Sequence, residues 1–453
     1  MNTQDDGIAI RHPTEDDWQA VFENQARTFG DPVGPQDLEA WKRRVRLDDI
    51  LIAEDVSDPK NPFLVGTSII YPAQLTVPGG ANLRAVWLTM IAVASTHQGK
   101  GLWAQLSAKG LGILLDRGYP IVCGVPTQTA MYDGFGAGVS SYSHTYAIDR
   151  RFAKVRDAPG DDRAREVNAA TARRHLPGLY ERWCAVTPGA VTRDKAWWAD
   201  HLEDRTTQRG NGSALHYTIH PDGFLTYRVV GSRQHAFRPP LGTVVVEDFC
   251  PITDQAHTEL LQTLLVLEMF YRVEIDVPPD DPLPLKLVDQ RAAETKGISD
   301  FLWVRINDIP EVLGARGYAA DTDIVLDVTD PLGLAGGGSS CRRATAPASA
   351  RRTTGPRTSR SGWPTWPPCT WAPTGAPSWP GPSASPSCAR ARWAGWTPPS
   401  APSGPRSAAR CCETVLRSPG KLWRPACFVG STGAGRAASV RASRDRPPNG
   451  YPG

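Results

Sequence analysis

The strand-like stretch 86–93 runs through His97-Gln98-Gly99-Lys100-Gly101 into a helical pattern over 101–117. Val86-Trp87-Leu88-Thr89-Met90-Ile91-Ala92-Val93 is almost continuously apolar, which suits a strand covered on both faces. The helix that follows carries Leu102, Leu106, Leu111, Leu114 and Leu115 on its inner side. Gly118-Tyr119-Pro120 stops it, and Ile121-Val122-Cys123-Gly124-Val125 is the next strand. A β-loop-α-β run of this kind requires an α/β layering, with one sheet buried under helices.

The glycines mark the chemistry. Where a buried strand ends and a helix begins, unpaired N–H groups and the positive end of the helix dipole converge. Glycine lets the backbone approach a bound anion closely. Gly99-Lys100-Gly101 therefore reads as a cradle for a pyrophosphate. A plain tight turn is the alternative for a glycine pair alone. The GxxxxGK[ST] loop is absent, and the first strand–helix unit lacks a GxGxxG fingerprint.

The same layering surrounds this joint. Ile8-Ala9-Ile10-Arg11 is a first strand, and Thr14-Glu15-Asp16-Asp17 has the form of a capping box before a helix bearing Trp18, Val21 and Phe22. Residues 50–53 and 64–70 are β-rich. A short helix is expected around 130–132. Downstream, Pro221-Asp222-Gly223 joins 214–219 and 224–230 as a hairpin. An apolar helix is expected over 258–271, between strands 243–246 and 273–275. This second unit repeats the strand–helix–strand layout without a glycine loop. A third unit is expected from Gly297, with strands at 301–305 and 323–328.

At position 338 the composition changes. Residues 1–337 hold 33 Lys+Arg and 45 Asp+Glu, whereas residues 338–453 hold 17 and 2. The tail has no Ile, 3 Val, 2 Leu and 1 Phe against 19 Pro, too little apolar surface to offset its ordering entropy. It reads either as a disordered basic tail or as translation out of frame. Seven Trp and six Cys favour the second. Because Trp has one codon, a shifted frame turns Trp363-Pro364, Trp366-Pro367 and Trp379-Pro380 each into Ala, and Trp371-Ala372 into Gly. A segment rich in helix formers results.

The first six residues are polar and acidic, and no run of about 18 apolar residues occurs, so neither a signal peptide nor a membrane span is expected. Cys123, Cys184 and Cys250 are widely separated, which suits a cytoplasmic location and offers no zinc spacing. With no HExxH pair either, metal chemistry is set aside.

The stretch Gln98-Gly99-Lys100-Gly101 resembles the acetyl-CoA motif of the GNAT superfamily, and Tyr132-Asp133-Gly134-Phe135-Gly136 its Y-x-x-F-G segment. With Asp149-Arg150-Arg151, Asp281-Pro282-Leu283-Pro284, Ser299–Arg305 and Ala315–Asp321, these motifs are similar to the Eis (enhanced intracellular survival) acetyltransferases over residues 1 to about 335. The resemblance implies tandem GNAT domains at 1–152 and 153–295, only the first binding acetyl-CoA. A truncated sterol-carrier-like domain would begin at 296–337, before the tail at 338–453. It further implies a homohexamer acting on small-molecule amines, namely aminoglycosides or lysine-type polyamines, with no nucleic-acid partner.

Roles follow from that resemblance. Ile91, Ala92 and Val93 would meet the pantetheine arm through their backbone, with core packing as the plainer alternative. Gly99, Lys100, Gly101, Leu102, Trp103 and Ala104 would hold the pyrophosphate, and Thr127 and Gln128 add further cofactor contacts. Tyr132 is the candidate general acid: a phenol near pKa 10 can share its proton with a thiolate whose thiol sits near 8.5. A half-buried structural Tyr is the alternative. In the family the C-terminal carboxylate is the base. Here that group belongs to Gly453, beyond the anomalous tail. Phe135 and Trp18 could line the amine site, though core packing suits both better. Two other readings stand beside catalysis: an acetyltransferase-fold scaffold or lipid-binding module, and an inactive product of a frameshifted gene.

Overall fold

The structure is a computed structural model that describes residues 7–30, 34–157, 163–231, 242–318, 322–335, 337–343, 349–352 and 359–362. The chain begins with β1 (Ile8–Arg11), α1 (Trp18–Phe29), α2 (Pro35–Lys42), β2 (Ile50–Asp55), β3 (Phe63–Thr76), β4 (Asn82–Val93), α3 (Leu102–Asp116), β5 (Ile121–Gly124), α4 (Ala130–Asp133) and β6 (Gly138–Val139). There follow β7 (Tyr142–Asp149), β8 (Arg165–Val167), α5 (Ala169–Val186), α6 (Lys195–His201), β9 (His216–His220), β10 (Gly223–Val230), β11 (Thr243–Pro251), α7 (Asp254–Leu265), β12 (Arg272–Val277) and β13 (Ala293–Asp300). β14 (Trp303–Ile306), α8 (Ile309–Ala315) and β15 (Thr322–Thr329) come next.

Two seven-stranded sheets result, ordered β1-β2-β3-β4-β5-β14-β6 and β13-β7-β12-β11-β10-β9-β8. The units therefore exchange strands. β7, expected to end the first domain, pairs with β12 and β13 in the second sheet. β14, expected in a third domain, pairs with β5 and β6 in the first. Sheet membership therefore crosses both positions expected as boundaries, 152/153 and 295/296. Gly297 misled because it lies at a bulge in β13, where the pairing with β7 slips between Thr295 and Gly297. A lone glycine in a strand serves a bulge as readily as a boundary.

One hydrophobic cluster spans both units. Trp87 and Ile121 of the first sheet share it with Tyr180, Trp183, Trp197 and Trp198, and with Phe301 and Leu302 between β13 and β14. A buried ion network reinforces the seam. Asp200 takes Arg44 at 2.8 Å and Arg205 at 2.7 Å, and Arg205 also reaches Asp37 at 2.8 Å.

Local expectations fare well where periodicity or turn chemistry decides. α3 buries Leu102, Leu106, Leu111 and Leu114. The hairpin at Pro221-Asp222-Gly223 joins β9 and β10 as an antiparallel pair. α7 begins and ends earlier than the apolar run 258–271 suggested. Thr253 caps its start by accepting from the Ala256 N–H, and Arg150 takes the carbonyls of Leu265, Glu268 and Phe270 at its end.

Three short strands, Gly337–Arg343, Ser349–Arg352 and Ser359–Gly362, join β15 in a four-stranded sheet. The stretch from 338, not read as a folded domain, thus pairs over these segments: backbone pairing needs an open strand edge, not apolar side chains. The remainder of the tail, including Gly453, lies outside the described residues.

Candidate active site

The site grows from a fork in the first sheet. β4 and β5 run parallel but pair only through Ala85–Trp87 and Ile121–Cys123. Beyond that point β5 ends at Gly124, while β4 continues to Val93 with pairing only to β3. The backbone of 88–93 thus faces an opening on its β5 side. A bulge bends β4 within it: Thr67 pairs with Ala92 and Ile69 with Thr89, so two residues of β4 lie opposite Ser68. Met90 sits there at φ 51, and its carbonyl accepts from the Gln25 side-chain amide at 2.7 Å.

At the end of β4, Ser95–His97 forms a 3-10 turn that leads to Gly99 and Gly101, at φ 78 and 77. Both glycines have open space where a Cβ would point. Gly101 is the N-cap of α3 and no side chain caps the helix, so its first N–H groups are presented to the opening. The equivalent end of α7 in the second unit is closed by the Thr253 side chain. Positive φ, free space and an uncapped helix start fit a diphosphate here.

The expected cofactor residues divide by side chain. Gly99, Lys100, Gly101, Ala104, Thr127 and Gln128 are exposed around the loop and the end of β5. Ala92 and Leu102 are buried in the sheet and under the helix, so only their backbone can serve a ligand. Ile91 and Val93 are half-buried at the fork. His97 departs from the loop it belongs to. It turns inward, Nε2 3.1 Å from Asp55 and Nδ1 2.8 Å from Thr96, with the edge of Phe63 against its ring. It braces the cradle from below.

Tyr132 stands at the crotch of the fork. Its hydroxyl lies 3.3 Å from the point where a Cβ on Gly124 would be, and the Leu88 carbonyl is 3.4 Å from the same point. Trp103 of α3 and Trp303 of β14 hold the ring, each with centroids 6.0 Å away, and Phe135 sets its edge on Trp103. Burial in this aromatic box pushes the phenol up to about 12, so it keeps its proton at neutral pH. A small apolar cavity lies beside it, lined by Leu88, Ile91, Trp103, Tyr132, Phe135 and Trp303.

Sequence reading missed Gly124, Trp303 and Gln25. Gly124 carried a faint signal as a glycine at a strand end. Trp303 lay in the quoted Ser299–Arg305 motif without a role and Gln25 carried no signal, since long-range pairing alone brings them to the fork. Trp18 lies against Trp41 in the core under α1 and α2 rather than beside Tyr132.

An acetyltransferase (GNAT) domain family matches residues 9–140, and a second matches 189–306. N-acetyltransferase Eis of Mycobacterium tuberculosis is 33% identical over 331 residues, covering 71% of this chain and 80% of the relative. The chain belongs to the Eis family of N-acetyltransferases. An uncharacterized N-acetyltransferase of Streptomyces griseus is 29% identical over 307 residues, covering 64% and 73%. The crystal structure of Eis1 from Mycobacterium abscessus superposes with a TM-score of 0.66 at 27% identity, over 78% of this chain and 87% of that one. The Eis-type chain is thus an acetyl-transferring enzyme, and GNAT enzymes take the acetyl group from acetyl-CoA.

Proposed function

We propose that the first domain moves the acetyl group of acetyl-CoA to a primary amine, with Tyr132 serving the departing thiolate. The observation that carries this reading is the position of Tyr132 at the fork of β4 and β5, its ring packed on Trp103 in the first turn of the uncapped helix α3. Acetyl-CoA supplies the activated thioester. The loop from Gly99 to Ala104 holds its diphosphate through backbone N–H groups, with Lys100 adding one charge. The backbone of Ile91, Ala92 and Val93 receives the pantetheine amides as a missing strand would, and Thr127 and Gln128 face them from the end of β5. The neutral amine nitrogen bonds to the acetyl carbon, the carbon–sulfur bond breaks, and the proton shed by the nitrogen passes through solvent to the departing sulfur, leaving the amide and CoA thiol. The Tyr132 O–H donates to the sulfur as charge builds there. A phenol near 12 does not give its proton away in the resting site, so its first contribution is a short hydrogen bond to the thiolate.

The acceptor class is a cationic amine, an aminoglycoside or a lysine-type polyamine. Family resemblance supports it, and residues 1–337, with 33 Lys+Arg and 45 Asp+Glu, favour a cation. Assembly as a hexamer and a sterol-carrier-like unit starting in the region of β15 rest on the resemblance alone. Light scattering on the purified chain tests the first.

The deciding experiment pairs calorimetry with turnover. Wild-type chain should bind acetyl-CoA, and Tyr132→Phe should bind it within about twofold while losing about 10²-fold or more in turnover. No acetyl-CoA binding would favour the scaffold reading. Equal turnover would remove the role of Tyr132.

A further inference from the structure

The active-site tyrosine is held by a device built from residues 303–335, a part of the chain far from it in sequence. β14 runs antiparallel to β5, with Trp303 opposite Gly124 and Arg305 opposite Val122. Residues two apart on a strand share a face. Trp303 therefore meets the Tyr132 ring, while Arg305 enters beneath the turn that follows α4. The Arg305 guanidinium is 1% exposed and donates to the Phe135 carbonyl at 2.8 Å. It also forms a two-pronged pair with Asp330, 2.8 Å on each arm. Asp330 is itself fixed by the N–H groups of Leu334 and Ala335, both at 2.8 Å.

The turn links this pair to the tyrosine. The Tyr132 carbonyl accepts from the N–H groups of Phe135 and Ala137, at 3.0 and 3.2 Å. Gly136 sits between them at φ 73, and a Cβ there would run into the Arg305 guanidinium. Only glycine allows both the backbone and the close approach. A buried charge pair is costly to bring out of water and returns little net stability. Its geometry is the gain here, because a planar fork reaches a carboxylate and a carbonyl at once.

We infer that Arg305 and Asp330 are positioning residues for Tyr132, fixing the Phe135–Gly136 turn so that the phenol stays at the fork of β4 and β5. This rests on the reading of Tyr132 as the group serving the thiolate, and it makes residues beyond the second GNAT match part of the first domain's site. Asp330 lies 24 residues beyond the end of that match at 306.

Arg305→Lys tests it without removing the buried charge: a lysine is shorter and has one nitrogen in place of the fork, so it cannot keep both Asp330 arms and the Phe135 carbonyl together. The full chain is labelled with fluorotyrosine, and the Tyr132 resonance is assigned by its loss in Tyr132→Phe. Arg305→Lys and Asp330→Asn should move or split that resonance. Turnover with kanamycin as acceptor should fall about tenfold or more, while calorimetric acetyl-CoA affinity stays within about twofold. In the Tyr132→Phe background, Arg305→Lys should lower turnover no further. An unchanged resonance in a folded Arg305→Lys chain overturns the inference. If Asp330→Asn does not fold, Arg305→Lys decides alone; if neither folds, the pair is structural and the inference is lost. A normal Tyr132→Phe turnover with a displaced resonance separates the cases: the acid role fails and the positioning stands.

Discussion

The side-chain amide of Gln25 holds the carbonyl of Met90 at 2.7 Å, and Met90 is one of three non-glycine residues at positive φ among those described. The contact ties α1 to the bulge in β4, where the strand turns its backbone towards the fork. A left-handed residue costs about 1–2 kcal/mol, so something must hold it. Gln25 is 4% exposed, and its Nε2 also contacts Thr67, whose hydroxyl accepts from Asn24 at 3.1 Å.

Gln25→Leu should therefore let the bulge relax. We expect turnover to fall at least about tenfold, with stability lowered by about 1–2 kcal/mol for the lost buried hydrogen bond. Met90→Gly in the same background should restore part of the stability, because glycine tolerates that φ. Denaturant unfolding and steady-state rates check both. Full activity in Gln25→Leu would show that the bulge holds itself.

At the cradle, Gly101→Ala meets no protein atom within 4 Å but stands at φ 77. The fold should survive, at a cost of about 1–2 kcal/mol for the left-handed alanine. Its methyl points into the opening, so acetyl-CoA affinity should drop about tenfold or more. Lys100→Ala should cost less than about threefold, since its single charge is exposed. As a control, Thr253→Ala should cost about 1 kcal/mol of stability through its lost cap and leave acetyl-CoA binding alone. Calorimetry separates the three.

Tyr132 also predicts an alkaline effect. Burial holds its phenol near 12, against about 10 in an unfolded chain. Between those values the unfolded state loses the proton first. Stability from this group is whole below pH 10 and falls as pH rises towards 12, by up to about 3 kcal/mol. Tyr132→Phe should flatten that part of the pH–stability curve. An identical slope in the variant would place the phenol in water.

In acid, His201 should dominate a different window. Burial, opposed by Asp248 and aided by Arg193, brings it down to about 4. Its ring stacks on Trp197, centroids 4.6 Å apart. An unfolded histidine takes its proton near pH 6.5, so between 6.5 and 4 the unfolded state holds more protons and stability falls as pH falls. His201→Gln should weaken the dependence of Tm on pH in that range. A slope as steep as the wild type's would mean that other groups carry it.

Much of the fork was legible in the sequence. The apolar run 86–93, the glycines at 99 and 101 and the leucine stripe of α3 each specify their geometry locally, through pleat, φ and helical period. Tyr132 was legible only through resemblance, since nothing in a lone Tyr-Asp-Gly-Phe-Gly announces an acid. The strand exchange was not legible. β14 read as a strand from its own residues and β7 was not read at all, and which sheet receives each depends on which edges are left open once β4 and β5 splay.

The sequence by itself determined the strands and the leucine-striped helix around the fork and the glycine-marked helix start at Gly101, because periodicity and glycine torsions act within a few residues. Tertiary structure alone decided that His97 turns in to Asp55, that Trp303 walls the Tyr132 box, and that Arg305 and Asp330 hold its turn. Those contacts join residues tens to well over a hundred positions apart. Hydrogen-bond edges and buried charges choose such partners by what the folded chain brings near, and no local pattern encodes that choice.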